Sequence, residues 1–410
     1  MGYAKDVARG VTLMGALSLV TKILGFLKII ILARLLLPSQ FGAYGVALLA
    51  LGLLEVVTET GVNVFLLQEK GNMDSYISSA WIVSILRGVF IMLVLIIFTP
   101  FIAKFFQSEE SLVLLYLISL VSFLRGFINP SVVKFQKELL FIKDFWYRFT
   151  ILIVDTVAAI SITYATRSPI GIILGLIAGV SAELILSFLI VSPRPSLKFN
   201  VSYISKIFHR GKWITASGFF DYLFHNVDNI VVGRLLGPAS LGIYQLAYSL
   251  SVVPLKEISN VFTHVTFPVF TKISHDSSRL KTAFLKTSFT IIFFSIPIVV
   301  VLVVFSQFFV IILGQKWAAV ASILPILALL GFVKAVSGSS SALFFSQKKQ
   351  NYTTVITFVN ILGILALIIP LVLLKGIFGA GLAGFIGSIL AIPFMIYYVR
   401  KIFSNYRKSN

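Results

Sequence analysis

The 410 residues are 58% hydrophobic and 12% charged, carry a net charge of +19 and include no cysteine. Soluble domains run at about 45–50% apolar and about 25% charged, so a soluble fold is excluded and an integral membrane protein is expected. Disulfide and thiol chemistry are excluded as well. In a soluble chain this charge would suggest nucleic acid. Here the basic residues sit in short loops between apolar segments, and no nucleic-acid partner is expected.

A spanning helix needs about 20 mostly apolar residues. Twelve such spans are predicted, at 10–36, 40–67, 78–104, 110–130, 147–166, 169–192, 213–237, 240–266, 285–314, 318–345, 352–374 and 377–399. The predicted fold class is thus an all-α polytopic membrane protein. The start, MGYAKDVARGVTLMGALSLVTKILGF, is basic and then apolar but has no small-residue cleavage site. Neither a cleavable signal peptide nor a myristoylation motif is expected.

The first span carries Lys22 and Lys28. Six residues place them about 120° apart on a helix, so they can border a broad cavity but not share a narrow stripe. The span ends on Arg34 and the turn holding Pro38 and Gly42. Glu55 and Glu59 share a face of the second span, and the third and fourth carry Arg87 and Arg125. Asp155 and Glu183 lie in the fifth and sixth. In the seventh, Asp221, His225 and Asp228 follow the spacing i, i+4, i+7 and share one face. Two carboxylates and an imidazole there suit cation or proton handling, or else a hydrogen-bond network between helices. This span closes on Arg234, with Pro238 and Gly242 just beyond. In the eighth, Lys256 and Glu257 are adjacent and point to different faces, and Lys256 is the better candidate for a cavity cation. The tenth holds Lys334, followed by SGSSSALFF, whose small residues permit close helix packing or line a polar cavity. Asn360 in the eleventh either helps Asp228 hold a cation or bridges two helices.

In all, eight basic and seven acidic residues fall in or near spans. A charge at mid-bilayer costs about 2.5–3.5 kcal/mol on insertion scales. For each of these residues a structural ion pair or an interfacial snorkel competes with a substrate role.

With the N-terminus on the cytoplasmic side, that side holds 22 of the loop Lys and Arg residues and the other holds four, Lys104, Arg167, Lys316 and Lys375. This bias predicts that both termini are cytoplasmic. Trp146, Trp213 and Trp317 fall at span ends, where interfacial tryptophans are expected.

The chain also repeats itself. KIIILARLLLPSQFGAY at 28–44 recurs as DNIVVGRLLGPASLGIY at 228–244, sharing Arg34/Arg234, Pro38/Pro238, Gly42/Gly242 and Tyr44/Tyr244. Chance similarity in an apolar background is the alternative, but Arg, Pro, Gly and Tyr are not background residues there. Twelve spans divide into six and six at the loop near 193–212. The predicted domains are an N-terminal lobe, 1–192, a cytoplasmic linker, 193–212, and a C-terminal lobe with a short basic tail, 213–410. Six is even, so this is a parallel repeat, as in transporters that rock two bundles. In both copies the proline ends a helix and the glycine allows close reversal into the next. Arg34 and Arg234 snorkel to the outer interface or cap the helix, or else touch substrate.

Four histidines show no metal-ligand spacing, and no P-loop, G-x-S-x-G or dinucleotide fingerprint is present. The outward loops are too short to shape an enzyme site. No enzyme activity and no resident cofactor are expected, and with no ATPase motif in the sequence any transport would draw on an ion gradient, the substrate's own gradient or a partner.

VDNIVVGRLLGPASLGIYQLAYSL, FQKELLFIKDF and LGQKWAAVASILPILALLG together resemble the polysaccharide exporter branch of the multidrug/oligosaccharidyl-lipid/polysaccharide (MOP) superfamily, and specifically a Wzx-type flippase. The resemblance covers nearly the whole chain. It implies two six-helix lobes forming a V that opens to each side in turn. It further implies movement of an undecaprenyl-pyrophosphate-linked oligosaccharide from the cytoplasmic to the outer leaflet of a bacterial or archaeal inner membrane. Partners would be that lipid, the bilayer and other polysaccharide assembly proteins. A cationic cavity lowers the desolvation cost of a pyrophosphate, and Lys22, Lys28, Lys256, Arg87, Arg125 and Lys334 would supply the charge. Coupling to H+ or Na+ is implied, with Asp228, Asp221, His225 and Asn360 as candidates. Two features depart from the lipid II flippase branch: lysines stand where cavity arginines predominate, and two extra helices are absent. The alternative within the superfamily is a cation-coupled drug or metabolite antiporter, against which the excess of Lys and Arg argues. A polysaccharide polymerase or ligase would need a large outward loop, and a channel leaves the repeat unexplained.

Overall fold

The computed structural model describes residues 20–68, 73–197 and 200–409, whose regular structure is entirely helical. The predicted start of the first span at 10–19, with Lys5, Arg9, Lys70 and Lys198, lies outside the described residues. So do the side chains of Lys206, Arg210, Lys212, Trp213, Arg407 and Lys408.

The helices are α1 (20–35), α2 (Pro38–Val57), α3 (Val62–Gln68), α4 (Asp74–Phe105), α5 (Glu110–Gly126), α6 (Lys134–Lys137), α7 (Phe141–Thr166), α8 (Ile170–Ile190), α9 (Val201–Lys272), α10 (Ser277–Val304), α11 (Ser306–Leu313), α12 (Ala318–Ser346) and α13 (Gln350–Ser409). Among the described residues, eight helices are long and apolar enough to cross a membrane. The number is nine if Glu110–Gly126 and Pro130–Lys137, bent by 72°, form one span. Two of the eight are far longer than a bilayer. At about 1.5 Å per residue, α9 and α13 hold roughly 108 and 90 Å of helix, against a hydrocarbon core of about 30 Å. Each leaves helical geometry at one glycine, Gly237 (φ 80°, ψ 178°) and Gly376 (φ 57°, ψ −137°). Left-handed φ is open to glycine without a Cβ penalty, and both glycines fall at predicted span boundaries.

The chain forms two compact units, whose boundary in sequence lies between Asn226 and Val227, inside α9. In the first unit α5 is central, packed against α2, α4 and α8. Ala47 and Leu51 of α2, Ile91 and Leu95 of α4, Leu115 and Ile118 of α5 and Ile173 of α8 form its core. The outward faces are equally apolar: Leu86 is 63% and Phe101 67% exposed. Such faces are stable in lipid and would not be in water. Because lipid is as apolar as leucine, packing between these helices relies on small residues. Gly171, Gly175 and Gly179 of α8 lie against Thr163, Ala159 and Asp155 of α7. The start of α9 belongs to this unit too, since the Tyr222 hydroxyl donates to the Leu49 carbonyl of α2 (2.6 Å).

In the second unit α12 packs against α10 and α13. The predicted ninth span is two helices, α10 and α11, with Phe305 between them. Trp146 is 59% exposed, as an interfacial ring should be, but Trp317 is fully buried. The turn at Gly314 (φ 100°) and a 3-10 turn over Gln315–Trp317 fold this indole into the protein instead of the interface.

The two copies of the repeat have matching environments in their own units. Leu32 and Ala33 are buried and Arg34 exposed; Val232 and Gly233 are buried and Arg234 exposed. Gly42 and Gly242 are both buried just inside the following helix. Pro38 begins α2 after an extended Leu37 (φ −80°, ψ 156°), whereas Pro238 follows the left-handed Gly237.

Candidate functional site

The first unit encloses a cavity of about 480 Å³, with Arg87, Arg125, Arg148, Glu55 and Glu183 in its wall. Two dipeptides build much of it. Arg87-Gly88 lies on α4 and Arg125-Gly126 on α5. The glycines bring the two backbones together: a Cβ on Gly88 would lie 2.6 Å from the Ser122 carbonyl oxygen, and one on Gly126 2.8 Å from that of Ser84. This contact sets the neighbouring arginines side by side along the cavity. The α2 helix stops at Val57, and its end supplies their partners. Arg87 donates to Thr58 Oγ1 (3.1 Å) and the Glu55 carbonyl oxygen (2.5 Å), and its Nη2 lies 3.3 Å from Glu59 Oε2. Arg125 donates to Glu55 Oε1 (2.5 Å). The predicted second span, 40–67, is interrupted here because Gly61 takes a left-handed φ of 66°, and its amide donates to Glu59 Oε1.

A second cavity, of about 280 Å³, shares Arg125, Arg148 and Glu183 and reaches Asp155. Arg148 donates from Nε to Asp144 Oδ1 (2.8 Å), one turn earlier on α7. Lys28 donates to both oxygens of Asp155 (2.8 and 2.7 Å), with side chains 12% and 16% exposed. Among the described residues no side chain bonds the Glu183 carboxylate. Arg125 and Arg148 are the charges that act on it.

In the second unit, Asp228 accepts hydrogen bonds from the Tyr244 hydroxyl (2.8 Å) and from the amide and side chain of Asn229. The Tyr244 and Tyr248 ring centroids are 6.2 Å apart. Lys334 donates to the Tyr248 hydroxyl (3.3 Å) and lies 5.5 Å from the centre of its ring. A polar line thus runs from Asp228 through two tyrosines to Lys334. Among the described residues Asn360 Oδ1 is buried without a hydrogen-bond partner, and the Asn360 backbone carbonyl faces Gly387 where the two parts of α13 pack together.

Of the six predicted cavity cations, Arg87 and Arg125 line the larger cavity. Lys28 is held by Asp155, and Lys334 by Tyr248. Lys22 and Lys256 are exposed on their helices. Asp221 and His225 pair with each other (3.2 Å) on an exposed face. Sequence reasoning missed Arg148, which stands at the first turn of the predicted fifth span, 147–166, and was counted with the loop cations, and Glu183, counted but given no role. The signal for Arg148 was FIKDFWYRF, whose aromatic run extends α7 back to Phe141. The larger cavity is lined by Arg87 and Arg125 of the predicted set together with Arg148, and by none of the four predicted lysines. No group of His, Asp or Glu suited to a metal is present among the described residues.

A family model described as "Polysaccharide biosynthesis protein" matches residues 31–322. The lipopolysaccharide biosynthesis protein WzxC of Escherichia coli (strain K12) is 24% identical over 329 residues, covering 80% of this chain and 67% of that one. The teichuronic acid biosynthesis protein TuaB of Bacillus subtilis (strain 168) is 24% identical over 312 residues, covering 72% and 62%. Among solved structures, the inward closed conformation of the lipid II flippase MurJ superposes with a TM-score of 0.74 at 19% identity, covering 96% and 90% of the two chains. An inward-facing multidrug resistance MATE transporter of the MOP superfamily gives 0.69 at 15% identity, covering 95% and 96%. At these identities the two structures establish the fold.

Proposed function

Because the chain belongs to the polysaccharide biosynthesis protein family, we propose that it is a flippase for a lipid-linked oligosaccharide, and not an enzyme. The relatives are named for making lipopolysaccharide and teichuronic acid, and the fold is shared with a lipid II flippase. The observation that carries the reading is the arginine-lined cavity within the bilayer-spanning part of the first unit. A guanidinium binds phosphate oxygens in a bidentate fork and keeps its charge at all relevant pH. The substrate we infer is undecaprenyl-pyrophosphate-linked oligosaccharide. Its headgroup is taken up by a cationic cavity exposed to each side in turn, while the polyprenyl tail stays in lipid. Twelve crossings, with both termini cytoplasmic in a bacterial inner membrane, fit the loop charges. Asp228, Asp221, His225 and Asn360 remain our candidates for coupling to H+ or Na+.

The test is reconstitution into liposomes with a fluorescent polyprenyl-pyrophosphate oligosaccharide. Movement between leaflets is read as protection from a membrane-impermeant quencher, with and without an imposed Na+ or H+ gradient. The intact protein should exchange the lipid, and Arg125→Ala should slow exchange by about tenfold or more, the loss of a charge-assisted hydrogen bond worth roughly 1.5–3 kcal/mol. No lipid exchange, with transport of organic cations instead, would favour an antiporter.

A further inference from the structure

Charge bookkeeping around the two cavities leaves one acid over. Arg125 has Glu55, Arg148 has Asp144, Arg87 has Glu59 and Lys28 has Asp155. Among the described residues Glu183 has no cation of its own. It stands on α8 in the wall of both cavities, with Arg125 and Arg148 opposite. Those two guanidiniums have spare donors. Among the described residues Arg125 makes one hydrogen bond, from Nη1, and Arg148 one, from Nε. Their side chains are 42% and 46% exposed, so the rest of each fork is open to the cavity.

We propose that Arg125, Arg148 and Glu183 form a site for a phosphate-class dianion that fills only as Glu183 takes up a proton. An ionised Glu183 is the built-in competitor: it occupies the field of both arginines and repels an incoming anion. A protonated Glu183 removes that repulsion and offers an O–H donor to the ligand's oxygens. Linkage makes the effect reciprocal, so the anion draws the proton on as the proton admits the anion.

The neighbours of Glu183 agree with this assignment. From α5 it faces Arg125. From α7 it faces Arg148, which is held by Asp144, then Tyr147, whose hydroxyl donates to the Glu183 carbonyl, and Asp155, which is held by Lys28. From α2 comes Glu55, held by Arg125, and from α4 comes Arg87, held by Glu59, both in the wall of the larger cavity. The inference deepens the flippase reading by naming how its cationic site is regulated, but it makes a binding claim that can be tested without any transport.

The full-length protein in lipid nanodiscs is titrated with sulfate, a dianion that does not itself titrate between pH 5 and 8. Binding is followed calorimetrically in buffers of different ionisation enthalpy, which counts protons taken up. Wild type should absorb up to one proton per sulfate and lose affinity about tenfold per pH unit above the Glu183 transition. Glu183→Gln should bind about tenfold more tightly at neutral pH, take up no proton and show a flat pH profile. Glu183→Asp, which keeps the charge, should retain the linkage. Sulfate binding with no proton uptake in wild type overturns the proposal. So does linkage that survives Glu183→Gln and vanishes in Asp144→Asn. At fixed pH, inorganic pyrophosphate and farnesyl pyrophosphate separate the ligand sources. Equal affinity identifies the headgroup alone as the ligand, and preference for the farnesyl form identifies a lipid; failure of both to bind overturns the site. Lipid exchange that persists while the linkage fails leaves the flippase reading standing, and the converse leaves the anion site standing.

Discussion

Lys28 and Asp228 hold the same place in the two copies of the repeat, and their surroundings differ in kind. Lys28 meets a carboxylate, Asp155, in a two-oxygen contact. Asp228 meets a tyrosine hydroxyl and an amide. A largely buried ion pair is stable only as a pair, and removing one partner strands the other at a cost of about 3–5 kcal/mol. Lys28→Ala and Asp155→Asn should therefore each lower the thermal unfolding midpoint of the purified protein. Lys28→Met combined with Asp155→Leu should recover most of the loss, because neither charge is then left alone. A Lys28→Ala protein with an unchanged midpoint but no export would make Lys28 a substrate cation. The sequence exposed these charges as a set, since ionisable residues stand out against an apolar background, but it did not expose their pairing. Lys28 and Asp155 are 127 residues apart, and no periodicity connects two helices so distant in the chain. Glu183 is the clearest case. It becomes notable only when each of the other acids in the cluster has been matched with its cation.

At the scale of elements, the α7–α8 hairpin shows how close packing sets the site. Gly171, Gly175 and Gly179 recur every four residues and present one face of α8 to α7. A Cβ on Gly175 would sit 2.7 Å from both the Cα and the amide nitrogen of Ala159. Backbone cannot yield as a flexible side chain does, so Gly175→Ala should push the helices apart and cost about 1–3 kcal/mol. The displacement would also move Asp155, which packs on Gly179, away from Lys28. Gly25 on α1 is the control, with nothing within 4 Å of its would-be Cβ. There Gly25→Ala should be neutral or add up to about 1 kcal/mol from helix propensity. Thermal unfolding of both variants in the same detergent is the check, and an equal response at the two positions would show that close approach does not matter here. Hydropathy made most spans legible, because a bilayer demands long apolar helices. It was blind to breaks set by backbone geometry. The stop of α2 near Gly61 and the split of α10 from α11 at Phe305 occur within sequence that is apolar enough to continue.

At the scale of the whole molecule, orientation rests on loop charge alone, and the chain offers a clean way to measure it. With no native cysteine, every introduced thiol reports on its own position. Loop Lys and Arg place the turns at Glu109 and Ala239 outside, and those at Ser278 and Lys349 inside. All four residues are exposed, so reagent access is limited by the membrane and not by burial. Glu109→Cys and Ala239→Cys should react with a membrane-impermeant maleimide in intact cells. Ser278→Cys and Lys349→Cys should react only after permeabilisation. Glu109 lies in the first unit and the other three sites in the second, so comparing Glu109→Cys with Ala239→Cys tests whether the units share one orientation, as a parallel repeat requires. If Ala239→Cys reacted from outside and Glu109→Cys only from inside, the number of crossings between them would be odd. The six-and-six division would then fail, and with it the equivalence of Lys28 and Asp228 on which the comparison of the two repeat copies depends.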